Sequence, residues 1–146
     1  MTITRANLES ILVKRCGSMM SLVNMAVTYA GANADLNDPI GYALRWAGYS
    51  VDDVSSVSNA DVAELEDADI DQILDVAELR ILQSIQGNYT LVDITNGPES
   101  EKFSQTIAVL NARASKLAAH IEANYTADEN NAAFSVESTR EDAYSE

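Results

Sequence analysis

Apolar positions recur in helical steps along most of this chain, most regularly between Asp69 and Tyr125. Ile70, Leu74, Ala77, Ile81 and Ser84 follow one another at alternating steps of four and three, and Ile73 and Ile85 widen the stripe. Phe103, Ile107, Leu110, Ala114, Leu117, Ile121 and Tyr125 form a second such stripe. A four-three alternation keeps one helix face apolar. The two stripes predict helices over Ile70–Gly87 and Ser100–Asn124, joined through Asn96-Gly97-Pro98 as an antiparallel hairpin with coiled-coil-like packing.

The rest of the pattern is also helical, in shorter pieces. Thr4 is placed to cap a first helix carrying Leu8, Ile11, Leu12 and Cys16. Gly17 weakens it before Met19, Leu22, Val23 and Ala26 restart the stripe, which predicts one broken helix or two short ones. Gly31 to Asn37 reads as loop. Asp38-Pro39 predicts an aspartate cap with proline at the first helical position. Ile40, Ala43, Leu44 and Ala47 line the buried face of that helix, and Gly48 ends it. Tyr42, Trp46 and Tyr49 read as anchors of this helix on the hairpin. Val51 to Ala60 is polar loop, with Asn59 or Asp61 capping a short turn through Leu65.

The periodicity stops at Tyr125. Residues 126–146 hold six acids (Asp128, Glu129, Glu137, Glu141, Asp142, Glu146) against Arg140 alone, a side-chain charge of −5. Their larger apolar groups are Phe134, Val136 and Tyr144. Such a segment has too little apolar surface to fold by itself. The expected organisation is therefore an all-α domain over 1–125, a small bundle built on the long hairpin, and a flexible, extended C-terminal arm over 126–146, either a disordered tail or an arm that orders on a partner.

Charge narrows the function classes. The chain carries 23 acids and nine bases, a formal net charge of −14 over 146 residues. Phosphate backbones and anionic membranes repel such a surface. The acids of Asp52 to Glu78 and of residues 126–146 are expected to be mostly solvent-facing, or lumen-facing in an assembled ring. A single cysteine, Cys16, excludes an intrachain disulfide and reads as a packed thiol. No apolar run is long enough to span a membrane, and Glu9 interrupts the region where a signal peptide would need its apolar core. The expected compartment is cytoplasm-like.

Candidate chemistry is thin. Asp67, Asp69, Asp71, Asp75 and Glu78 fall at positions 1, 3, 5, 9 and 12 of a calcium-loop pattern. Gln72 stands where that loop needs glycine for its sharp turn, so no metal site is expected. His120 is the only histidine. Gly-rich phosphate loops, paired cysteine ligands and nucleophile elbows do not occur. The basic residues are scattered singly, apart from Lys14-Arg15 and the Arg113/Lys116 pair, and make no nucleic-acid footprint. No catalytic residue and no cofactor are expected, and the chain does not read as an enzyme.

The order of elements, with the stretches Leu36-Asn37-Asp38-Pro39-Ile40-Gly41, Ile70 to Gly87 and Gly97-Pro98-Glu99-Ser100-Glu101-Lys102, resembles small head–tail connector (adaptor) proteins of tailed bacteriophages. That resemblance implies a structural virion protein at the neck, made in the host cytoplasm. Copies form a ring, usually of twelve, beneath the portal protein. The ring extends the DNA channel without sequence-specific binding and docks a head-closure or tail protein below. A C-terminal arm commonly reaches the portal, which makes Phe134, Val136 and Tyr144 the candidate portal-binding residues. Two other classes stay open on the residues alone: an acidic inhibitor or DNA mimic occupying a basic partner surface, and a calcium-responsive helical protein.

Overall fold

The computed structural model describes residues 3–51, 53, 55–89 and 97–125, with backbone alone for Tyr89 and 97–104. It is all-helical: α1 (Arg5–Leu22), α2 (Asn37–Trp46), α3 (Asn59–Val62), α4 (Ile70–Tyr89) and α5 (Gly97–Asn124). Single 3₁₀ turns, Ala34–Leu36 and Asp67–Asp69, lead into α2 and α4. No strand occurs among the described residues.

Helix α4 lies at the centre and packs against α1, α2 and α5. Its predicted stripe is buried at Ile73, Leu74, Ala77, Ile81 and Ile85, but Val76, Leu79 and Leu82 are buried too. A helix apolar on several faces packs on several neighbours. Helix α5 shows the narrower stripe the spacing predicts, with Leu110, Ala114 and Ile121 buried and Ile107, Leu117 and Tyr125 packed beside them. Gln86 Nε2 donates to Asn111 Oδ1 at 2.7 Å, and the Tyr125 hydroxyl donates to Asp75 Oδ2 at 2.8 Å. Late α4 thus meets early α5 and early α4 meets late α5, so the hairpin is antiparallel.

The first helix is continuous through Gly17, where the sequence predicts a break. A Cβ there would lie 3.3 Å from Val13 Cγ1, a tight approach to a side chain of the same helix, and 4.0 Å from Val27 Cγ1, an ordinary contact with the returning chain. Burial of Cys16 and Met20 on either side holds the turn helical. Thr4 caps α1 as expected, in a capping box with Asn7. The helix ends at Val23 with Asn24 at φ 61°, the Asn24 amide bonding the Ser21 carbonyl and the Met25 amide the Met20 carbonyl. This is a Schellman ending in which asparagine takes the left-handed position. Gly48, at φ 98°, ends α2 the same way, with Gly48 N to Arg45 O and Tyr49 N to Leu44 O.

The start of α2 differs from the expectation. Leu36 is the cap residue and the helix begins at Asn37, so Pro39 occupies its third position and Asp38 does not cap. Proline is tolerated through the first turn because the amide it lacks has no intrahelical acceptor there. Asp38 instead binds Arg80 on α4 at 2.9 Å, and the same guanidinium lies 4.5 Å over the Tyr42 ring. Ser58, not Asn59 or Asp61, caps α3; Asp61 returns a bond to the Ser58 amide in a capping box. Trp46 is buried as predicted.

One buried polar hub ties the first third of the chain together. Arg5 Nε donates to Glu9 Oε2 at 2.8 Å, and its other nitrogens donate to the Val57 and Asn33 carbonyls and to Asn37 Oδ1. Glu9 also accepts from the Gly31 amide at 2.7 Å and the Asn33 amide at 2.9 Å. Asn59 Oδ1 accepts the Arg5 amide at 2.8 Å. Every loop between α1 and α3 is thereby fastened to the first turns of α1.

Candidate functional site

The seam where α1 and α5 meet over α4 collects most of the chemistry-bearing side chains. The apolar stripe of α4 is interrupted there by Asp75 and Glu78, one turn apart. Arg15 of α1 donates from Nη1 to Asp75 Oδ1 at 3.0 Å and to Glu78 Oε1 at 3.1 Å. Arg113 of α5 donates from Nη2 to Glu78 Oε2 at 2.9 Å and to the Arg15 carbonyl at 2.7 Å. Asp75 also accepts from Tyr125, and His120 Nε2 lies 3.4 Å from the same Oδ2. The His120 and Tyr125 rings meet edge to face at 5.7 Å between centroids.

This network fastens α1 and α5 to α4. Both carboxylates are committed to arginines. The Cys16 thiol is fully buried, and burial first, then the Glu78 charge, push its pKa up to about 12 against the lowering effect of Arg113 and Arg15. A thiol held protonated in this way is not a nucleophile near neutrality. Burial, together with the bond to Asp75 and the charges of Asp75 and Asp71, likewise raises Tyr125 to about 12.

The calcium pattern is dispersed by the fold. Asp67 and Asp69 sit in the 3₁₀ turn before α4, Asp69 accepts the Tyr49 hydroxyl, and Asp75 and Glu78 face the arginines. No cluster of three or more metal-binding side chains occurs among the described residues. Most acids of this stretch were expected in solvent, and Asp53, Glu64, Glu66, Asp67 and Asp71 are exposed; Glu78 is buried and Asp75 half-buried because each pairs with a guanidinium. Their spacing of three beside the apolar stripe of α4 was the signal in the sequence, with Arg15 next to Cys16 on the facing helix.

Beside this network runs an open groove of about 380 Å³, lined by Ser18, Met19 and Leu22 of α1 and by Gln105, Thr106 and Val109 of α5. Leu22 is 48% exposed and Val109 58%, high values for large apolar groups. Arg113 bridges the two helices next to it, with Met19 Sδ at 3.8 Å. The candidate portal-binding residues Phe134, Val136 and Tyr144 lie outside the described residues, as does the turn 90–96; of Phe103 the backbone alone is described. No described helix is long and apolar enough to cross a membrane.

Comparison with known proteins adds no relative: no protein family, no curated protein and no solved structure matches the chain.

Proposed function

We propose that this protein is a structural head–tail connector of a tailed bacteriophage, a ring subunit seated beneath the portal that extends the DNA channel and docks the next neck or tail protein. The observation that carries the reading is the apolar groove on the seam of α1 and α5, an exposed apolar surface among the described residues of a strongly acidic chain. On this reading the bundle works by contact, and its arginine-paired carboxylates and buried thiol serve packing. Its net charge of −14 suits a channel through which DNA passes without adhering, because phosphates find no counter-charges there. On this reading residues 126–146 reach the portal through Phe134, Val136 and Tyr144. The ring copy number, twelve by resemblance, and the virion location belong to the same proposal.

The test is to mix the purified chain with portal rings of the same phage and image the product by electron microscopy. A ring of this protein stacked coaxially on the portal is the expected result. A chain that stays monomeric or dimeric, ignores the portal and instead binds one basic protein tightly removes the connector reading and leaves the acidic inhibitor.

A further inference from the structure

The groove between α1 and α5 continues along the seam in a way that specifies an occupant. Helices α1 and α5 run in opposite directions here, since Ser18 to Leu22 face Gln105 to Val109 while Arg113 reaches back to Arg15. On α1, Lys14, Ser18 and Leu22 follow at steps of four and share a face. On α5, Gln105, Val109, Ala112 and Lys116 share a face in the same way. Lys14 and Lys116 are both exposed, and neither makes an ion pair among the described residues. The apolar groove is thus followed, toward the Tyr125 end, by two free cations on a chain that is acidic nearly everywhere else.

The chain beyond Tyr125 matches this track in length and in order. Tyr125 stands 18 residues past the middle of the groove on α5, about 27 Å at the helical rise. Phe134 comes nine residues after Tyr125, about 30 Å of extended chain. Lys116 lies about 13 Å back along α5, and Asp128 and Glu129 come about 10–13 Å along the extended segment. A strand folding back over the seam therefore brings its first two acids to the lysines and its phenylalanine to the groove. Val136, two residues on, points to the same side as Phe134 in an extended chain.

We propose that the groove is the seat of this chain's own C-terminal segment, with Phe134 and Val136 between Met19, Leu22 and Val109, and Asp128 and Glu129 over Lys14 and Lys116. The docking concerns the free chain and does not depend on the connector reading.

The test replaces Phe134 with a photoreactive benzoylphenylalanine in the full chain at low micromolar concentration. After irradiation, mass spectrometry of the monomer band locates the cross-link. The expected site is within 18–22 or 105–109 of the same chain. Val109→Glu, at an exposed position that the fold does not need, should cut the yield about tenfold, because the phenyl group would have to desolvate a carboxylate. Cross-links between two chains would overturn the proposal in favour of a second copy as occupant. Cross-links elsewhere on the chain, or none, would also overturn it.

Discussion

Arg5 and Glu9, one turn apart on α1, form an ion pair at 2.8 Å in which the two side chains are 4% and 0% exposed. Two charges leave water here only because each is surrounded by further partners: three more oxygens around the guanidinium and two amides on the carboxylate. The pair therefore acts as a clasp for the loops at Gly31–Asn33 and Val57. Removing one member strands the other. Glu9→Ala is expected to destabilise the protein by about 3–5 kcal/mol, measured by urea denaturation. Arg5→Met/Glu9→Leu should not restore stability, because the Gly31 and Asn33 amides and the Val57 carbonyl would lose their partners in the interior. Wild-type stability in the double variant would refute the clasp.

The hairpin rests on apolar contact between α4 and α5. Ile81 and Leu110 are 0% and 1% exposed. Ile81→Ala and Leu110→Ala should each cost about 2–5 kcal/mol, read as a lower denaturation midpoint at unchanged slope. A loss well under that range would mean that the helices do not bury these faces against each other.

Alkaline pH should weaken the fold. Cys16 is raised from 9.0 to about 12, and Tyr125 from 10.0 to about 12, each chiefly by burial. Both groups are neutral when protonated, so the folded state holds its protons to higher pH than the unfolded chain. Between about pH 9 and 12 the unfolded state binds fewer protons, and stability falls as pH rises. The melting temperature should decline across that window, and Cys16→Ala should flatten the decline. Iodoacetamide should leave native Cys16 unmodified at pH 9 and label it readily in urea. Labelling of the native protein at the unfolded rate would contradict the burial.

Truncation after Tyr125 should leave the bundle intact, since every buried residue of α1 to α5 is retained. Circular dichroism should keep its helical minima. On the connector reading, the truncated protein should fail to dock on portal rings, and Phe134→Ala should show part of that loss. Unchanged docking would assign attachment to the helical body.

Duplex DNA should not bind. With a net charge of −14, a gel shift at low salt is expected to show free DNA only, as no basic cluster offers counter-ion release. Firm, salt-sensitive retardation would exclude a channel that DNA slides through.

Much of the fold was legible because α4 and α5 are long and their stripes regular; Ile70 begins α4 and Asn124 ends α5 where the spacing places them. The second and third apolar faces of α4 were harder to see. Val76, Leu79 and Leu82 fall between stripe positions, and only the presence of α1 and α2 on those sides explains them. Local signals misled at Asp38-Pro39, where a cap motif was outcompeted by the preceding 3₁₀ turn and by Arg80 on a distant helix. The hub of Arg5, Glu9, Asn33 and Asn37 could not be read at all. Each is an ordinary polar residue in sequence, and their meeting depends on contacts 24 to 32 residues apart. The groove was hard to see for a related reason: Leu22 falls on the restarted stripe of α1, Val109 is a lone apolar residue off the α5 stripe, and only the fold brings the two exposed side chains to one surface.

The central position of α4 also governs how the protein can be made. A chain leaving the ribosome N-terminus first presents α1 and α2 before α4 exists, with Leu8, Leu12, Met20, Ile40 and Leu44 waiting for a surface that begins at Ile70. Until α4 has emerged, these side chains have only one another and water. Nascent chains stalled before Ile70 are therefore sticky, and synthesis of α4 is the step that closes the N-terminal half. Helix α5 comes last and lies on a surface already formed, so chains ending near Tyr89 should hold three packed helices and lack only the hairpin's second arm.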